Sequence, residues 1–364
     1  MNTPHLAAAI VAGALALPGA APAQSSVAIS GYIKLAVENI RLDQSSKSPS
    51  SEARVGDELS RILFQVVEDL GGGLQAVAQI DWRVVPDAGT DAASGNNWVG
   101  LRSREWGSLL LGRFDLHYHY SPSDLTAKAG SLKAWNVSLL SFAGGGGTAV
   151  GLGTRTANVV RYESPKWRGF TLAGSYSTNP APAEADIGSA VRKGRAWSFV
   201  PSYEASHWQA AWSHWRARPD AFASADQQGD RLWGSYTWGG FKLGIAWDRA
   251  KLISGATGLV TSKRTAWSLP LRYARGPHTF HAEYTRARDD AASAVSDGAR
   301  LLALAYTYDL SKRTSLGLTY AKIKNDAGAF YNLYNSAAGQ GSPSAAVAAG
   351  EDPRIWSFAL RHAF

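Results

Sequence analysis

His117, His119 and Ser121 are the residues whose types and spacing first suggest chemistry. On a strand, alternate side chains share a face. The two imidazoles could therefore hold a metal ion, or one could activate the serine as a nucleophile. No paired carboxylate accompanies them and the chain has no cysteine, so neither site is complete. The glycine run Gly144 to Gly147 is not followed by Gly-Lys-Ser/Thr and does not read as a phosphate loop. The sequence thus predicts no enzyme, no metal and no cofactor. What remains is charge set at alternate positions. Lys34 and Glu38 share the polar row of one segment, Arg61 alternates with apolar residues in the next, and Asp81 and Arg83 do so in the one after.

The segments that position these charges are strands. In the first, Val27, Ile29, Gly31, Ile33, Leu35 and Val37 oppose Ser30, Tyr32, Lys34, Ala36 and Glu38. In the second, Ile62, Phe64 and Val66 oppose Arg61, Gln65 and Asp69. After the Gly71-Gly72-Gly73 turn, Leu74, Ala76, Ala78, Ile80 and Trp82 oppose Gln75, Gln79, Asp81 and Arg83. The chain ends the same way: Trp356, Phe358, Leu360, His362 and Phe364 share a face. Segments of about ten residues, each with one greasy and one wet row, are the signature of membrane-crossing strands. The pattern predicts sixteen, at 26–40, 58–69, 74–84, 96–104, 107–114, 154–164, 169–178, 195–205, 206–217, 229–239, 241–251, 263–274, 277–288, 298–309, 313–324 and 353–364.

Composition agrees. Over 364 residues no linker separates two compositions. Leu6 to Leu17 is an apolar core too short to span a bilayer, and Ala21-Pro22-Ala23 follows it; 1–23 is expected to be a secretory signal and 24–364 a single barrel. The segment before that core carries no Lys or Arg. No later run is long and apolar enough for a transmembrane helix, so a membrane location requires a closed β-barrel, which satisfies every backbone polar group internally. The 14 Trp, 14 Tyr and 11 Phe suffice for interfacial girdles. The net charge of +8 is scattered rather than clustered, and export argues against a nucleic-acid partner.

Connections alternate between short and long. The long ones are Arg41 to Asp57, Val85 to Gly95, Asn179 to Gly194 and Asn325 to Asp352. Asp115 to Gly153 is longer still, and a connection of that length inside a compact fold is usually functional. In a barrel it would fold into the lumen and narrow it.

Several motifs carry a resemblance. Ser60-Arg61-Ile62-Leu63-Phe64 with Glu68-Asp69-Leu70-Gly71-Gly72-Gly73-Leu74-Gln75-Ala76, and Trp98-Val99-Gly100-Leu101 with Gly107-Ser108-Leu109-Leu110-Leu111-Gly112-Arg113, come first. Arg161-Tyr162-Glu163-Ser164-Pro165 with Gly169-Phe170, Tyr308-Asp309-Leu310-Ser311-Lys312-Arg313-Thr314 and the Leu360 to Phe364 end follow in order. Together they resemble the Gram-negative general diffusion porins, most closely those of β-proteobacteria. The resemblance implies an all-β fold: a 16-stranded antiparallel transmembrane β-barrel with a long inward-folded third loop. It also implies a homotrimer in the bacterial outer membrane, surrounded by outer-membrane lipid and lipopolysaccharide, passing small hydrophilic solutes by passive diffusion. Basic residues of the wall are expected to face acids of the loop.

Carried over position by position, Arg61 and Arg155 match wall arginines, Lys34 a pore-facing base and Asp81 a pore-facing acid, and Asp124 lies in the inward loop. Glu38, Arg83, Asp115, Lys128 and Lys133 join them as possible pore lining. Where the family commonly has an arginine ahead of the fourth strand, this chain has Gly95, and its loop is poor in acid. A narrow passage focuses the field of the charges that line it, and an excess of Lys and Arg favours anions. The sequence therefore predicts an anion-leaning pore. The alternative is a substrate-specific channel for a sugar or an oxyanion, kept open by Trp208, Trp212, Trp215, Trp233 and Trp238.

Overall fold

The computed structural model describes residues 25–117, 127–143, 148–149, 153–180, 194–218, 225–333 and 346–364. The expected signal segment lies outside them, as do His119, Ser121, Asp124 and the glycine run Gly144 to Gly147. Among the described residues the chain crosses the barrel wall sixteen times, always antiparallel. The crossings are β1 (Ser26–Asp43), β2 (Ser51–Asp57 and Arg61–Gly71), β3 (Leu74–Val85), β4 (Thr90–Ala92 and Asn97–Ser103), β5 (Gly107–Phe114), β6 (Thr156–Glu163), β7 (Phe170–Ser177) and β8 (Arg195–Glu204). They continue with β9 (Trp208–Arg218), β10 (Asp226–Trp238), β11 (Phe241–Ile253), β12 (Val260–Arg275), β13 (His278–Ala287), β14 (Ala299–Asp309), β15 (Thr314–Asn325) and β16 (Asp352–Ala363).

Closure comes from β1, which pairs with β2 on one side and β16 on the other, from Tyr32 opposite Ala363 to Asp43 opposite Asp352. Among the described residues no edge of the barrel sheet is left unpaired, which is what a bilayer demands. Gly31 sits where β1, β2 and the C-terminus converge. A Cβ there would lie 2.2 Å from the Arg61 carbonyl oxygen and 3.1 Å from the Phe364 ring.

Two crossings extend beyond the strands expected from sequence. Ser51–Asp57 was expected to be loop, yet Val37 pairs with Val55 and Arg41 with Ser51. The stretch is polar overall but still alternates, with Glu52 and Arg54 on one face. Between the halves of β2, Asp57 accepts hydrogen bonds from the Leu59 and Ser60 amides at 2.7 and 3.1 Å, and Leu59 has φ 65°. That kink lets one strand serve both the wall and the lumen. Thr90–Ala92 likewise extends β4 along Arg83 to Val85.

The outward rows are exposed and apolar, as expected. The inward rows differ by sector. Around β1 and β14 to β16, Ile40, Leu301, Ile323 and Ile355 point inward and are almost fully buried. They are covered by Leu139 and Leu140 from the long third loop and by Ala329, Tyr331 and Leu333 from the loop after β15. The described part of that last loop packs Tyr331 edge-on against Phe142 at 6.0 Å. Burying one such aliphatic side chain contributes about 1.5–3 kcal/mol, so this sector of the lumen is a core.

Candidate functional site

The third loop enters the lumen through two short 3₁₀ turns, Leu132–Ala134 and Asn136–Ser138. Its base is closed by Asp115, whose Oδ1 accepts from Thr154 Oγ1 at 2.7 Å and from the Arg155 amide at 3.0 Å. The Leu116 and His117 amides both donate to the Gly153 carbonyl. His117 is a packing residue: fully buried, with Nδ1 2.8 Å from Ser213 Oγ. Burial, aided by the Arg231 guanidinium, holds its imidazole well below the usual histidine range.

Farther in, the loop is clamped to the wall at two places. At the first, Lys133 is paired with Glu38 of β1 and, at 3.1 Å, with Glu58 in the kink of β2. Ser131 Oγ donates to Glu58 at 2.6 Å, Lys34 Nζ donates to the Gly130 carbonyl at 2.9 Å, and Arg54 holds the other Glu38 oxygen at 3.0 Å. At the second, Asp248 of β11 accepts from the Ser141 amide at 2.8 Å and from Arg231 Nε at 2.9 Å. Arg264 Nε donates to the Phe142 carbonyl at 3.1 Å. The only charged residues in the described stretch 127–143 are Lys128 and Lys133, and both meet wall carboxylates, Lys128 reaching Asp309 at 3.0 Å. At this contact the wall supplies the acid and the loop the base, opposite to the polarity the resemblance implies.

A different cluster lines the open side. Tyr32, Arg61 and Arg83 stand opposite one another on β1, β2 and β3. Arg83 Nη2 lies 2.8 Å and Arg61 Nη1 3.6 Å from Asp81 Oδ2. Arg61 Nη2 donates to Tyr32 Oη at 3.1 Å, and the Arg361 guanidinium lies 4.5 Å above the Tyr32 ring. Arg83 lies within the field of both Arg61 and Arg155, and Arg61 within that of Asp115. Gly95 makes room for Asp81: a Cβ there would sit 2.1 Å from the Asp81 carboxyl carbon. The cluster thus has four guanidiniums, from Arg61, Arg83, Arg155 and Arg361, against the carboxylates of Asp81 and Asp115. Several of their N–H groups, including Arg83 Nε and Nη1 and the Nε of Arg61 and Arg155, have no acceptor among the described residues.

Of the residues singled out in the sequence, Arg61, Asp81, Arg83, Asp115 and Arg155 therefore gather on the open side. Lys34, Glu38 and Lys133 gather at the loop clamp, where all three are buried. Lys128 pairs with Asp309 away from both. Sequence reasoning missed Glu58, Tyr32, Arg361, Asp248, Arg231 and Arg264 as lumen groups. Glu58 sits in a kink that alternation does not reveal, whereas Tyr32 and Arg361 fall on rows already legible as inward. Of the five tryptophans that suggested a sugar path, Trp208, Trp212 and Trp238 face outward, Trp215 is wholly buried beside Leu116, and Trp233 packs, half-buried, against the core that holds Leu139 and Leu140.

Known proteins share this architecture. The family model for "Gram-negative porin" matches residues 7–328. Outer membrane porin protein 32 of Delftia acidovorans is 27% identical over 372 residues, covering 98% of this chain and 99% of the relative. Major outer membrane protein P.IB of Neisseria gonorrhoeae is 31% identical over 170 residues, covering 44% of this chain and 45% of the relative. Among solved structures, the anion-selective porin from Comamonas acidovorans superposes with a TM-score of 0.75 at 22% identity, covering 94% of this chain and all of that one. OmpT of Vibrio cholerae in its trimer form does so with 0.66 at 13% identity, over 93% of this chain and 99% of that one.

Proposed function

This chain belongs to the Gram-negative porin family, and we propose that its water-filled passage is an anion-leaning route for small hydrophilic solutes and ions across the bacterial outer membrane. One observation carries the selectivity: the four guanidiniums of the open side stand against two carboxylates, those of Asp81 and Asp115. An anion passing at this level enters the positive field of these side chains, and an excess of Lys and Arg along a narrow passage favours anions. Arg61, Arg83 and Arg155, with Asp81 and Asp115, form the constriction wall in this reading. Lys34, Glu38 and Lys133 set its width by holding the loop in place.

The anion-selective title of the Comamonas neighbour supports this reading, and the trimer form of the Vibrio neighbour supports a homotrimer. A sugar-specific path is disfavoured because the tryptophans it would need face outward or are packed away. Catalysis is disfavoured because His117 is engaged by Ser213 and buried.

The test is planar-bilayer recording of the refolded protein in a KCl gradient. The expected result is stepwise conductance in threes with a reversal potential favouring chloride, and a several-fold loss of that preference in Arg83→Gln. Chloride preference unchanged in Arg61→Gln, Arg83→Gln and Arg155→Gln alike would remove these residues from the selectivity mechanism.

A further inference from the structure

The outer wall carries a second built arrangement, on the side away from the lumen. A concavity of about 780 Å³ opens on the outward face of β6 to β10, floored at Gly174 and walled by Tyr176, Trp197, Phe199 and Trp212. At Gly174 a Cβ would meet nothing within 4 Å, so the hollow exists because no side chain fills it. On the loop side its rim is closed by a fixed polar trio. His214 Nδ1 lies 2.7 Å from Asp230 Oδ1, and Arg249 Nη2 lies 2.7 Å from Asp230 Oδ2.

One outward position farther toward the long loops, Arg216, Gln228, Lys251 and Lys263 stand side by side on four consecutive strands. Neighbouring strands lie about 4.8 Å apart, so three cations share a short row. No carboxylate lies within ion-pair distance of Arg216, Lys251 or Lys263 among the described residues; of the two acids flanking the row on this strand face, Asp230 is taken up by His214 and Arg249 and Asp226 by Arg218 at 3.0 Å. A row of unpaired like charges is unfavourable on its own. It becomes favourable against an anion, and the height is that of lipid headgroups, directly above an aromatic belt.

We propose that this face binds a phosphorylated outer-leaflet lipid, lipopolysaccharide, with a phosphate on Arg216, Lys251 and Lys263 and an acyl chain in the hollow over Gly174. The basic row supplies charge complementarity and the hollow a chain-sized apolar slot. Because the site lies on the lipid side of the wall, it does not depend on how the lumen selects ions.

The experiment titrates the refolded protein in detergent with bisphosphorylated lipid A and reads bound lipid by native mass spectrometry. Heat-modifiable gel mobility confirms that each variant is folded. Wild type should retain lipid A and largely lose affinity for the fully dephosphorylated lipid. Lys251→Gln should bind about fivefold more weakly, and the triple Arg216→Gln, Lys251→Gln, Lys263→Gln variant on the order of a hundredfold more weakly. Gly174→Leu fills the hollow with every charge in place and should weaken binding as well; with Lys251→Gln it decides the matter should the triple variant not fold. Equal retention by all variants, or of the dephosphorylated lipid, would overturn the proposal. So would complete displacement by millimolar inorganic phosphate, which would make the row a free-phosphate site, or dissociation of subunits in the folded variants, which would make the face an interface between copies.

Discussion

The two sides of this lumen solve opposite problems with the same strand alternation. On the side of β1 and β14 to β16, inward positions carry Ile40, Leu301, Ile323 and Ile355, and two loops lie on them as a lid lies on a core. Across β1 to β3, inward positions carry Tyr32, Arg61, Asp81 and Arg83, and several guanidinium N–H groups there have no acceptor among the described residues. One stretch of the lumen wall is packed as core, and the other is kept charged. The division runs along the strands as well as around the barrel, since β1 carries both Tyr32 and Ile40, and β16 both Arg361 and Ile355.

The largest effect should come from breaking the clamp between the two sides. Lys133→Met removes the cation shared by the buried Glu38 and Glu58 and leaves Glu38 with Arg54 alone, and breaking a buried pair costs about 3–5 kcal/mol. The loop should detach, giving larger and noisier single-channel conductance while the barrel still migrates as folded protein in semi-native gels. Conductance identical to wild type would mean that Asp248 and Arg264 alone suffice to hold it.

Leu301→Ala tests the packed side and should lower stability by about 2–5 kcal/mol, seen as earlier thermal unfolding in detergent with ion preference unchanged. Arg83→Gln tests the open side and should do the reverse, altering reversal potential far more than unfolding temperature. If Leu301→Ala shifted selectivity as much as Arg83→Gln, the division between the sides would be false. Smallest of all, Lys166→Ala removes an exposed turn pair with Glu204 and should change stability by less than about 1 kcal/mol. Raising ionic strength from about 0.1 to 1 M shortens the screening length from about 10 to 3 Å and should shrink chloride preference without changing unfolding.

Most of the barrel was legible because period-two alternation is a local property: Trp356 to Phe364 or Val27 to Val37 announce their faces unaided. Ser51–Asp57 escaped notice because a polar extension of a strand resembles a loop until its partner is known. The open-side cluster was partly legible, since Arg61, Asp81 and Arg83 fall on inward rows. The clamp was not. Lys133 and Glu58 are 75 residues apart, and nothing in either neighbourhood says that a loop lysine, rather than a loop acid, meets the wall. Leu139, Leu140 and Tyr331 carry no periodicity and became core residues only through the fold.

Asp115 has a further consequence. By accepting from Thr154 and from the Arg155 amide, with Leu116 and His117 donating to Gly153, it brings both ends of the third loop to one point on the rim. Outside the clamped stretch 127–143, what lies between those ends can lengthen, shorten or change sign without disturbing strand register. The aperture is thereby a replaceable insert in a constant frame, free to diverge at a pace the wall cannot follow.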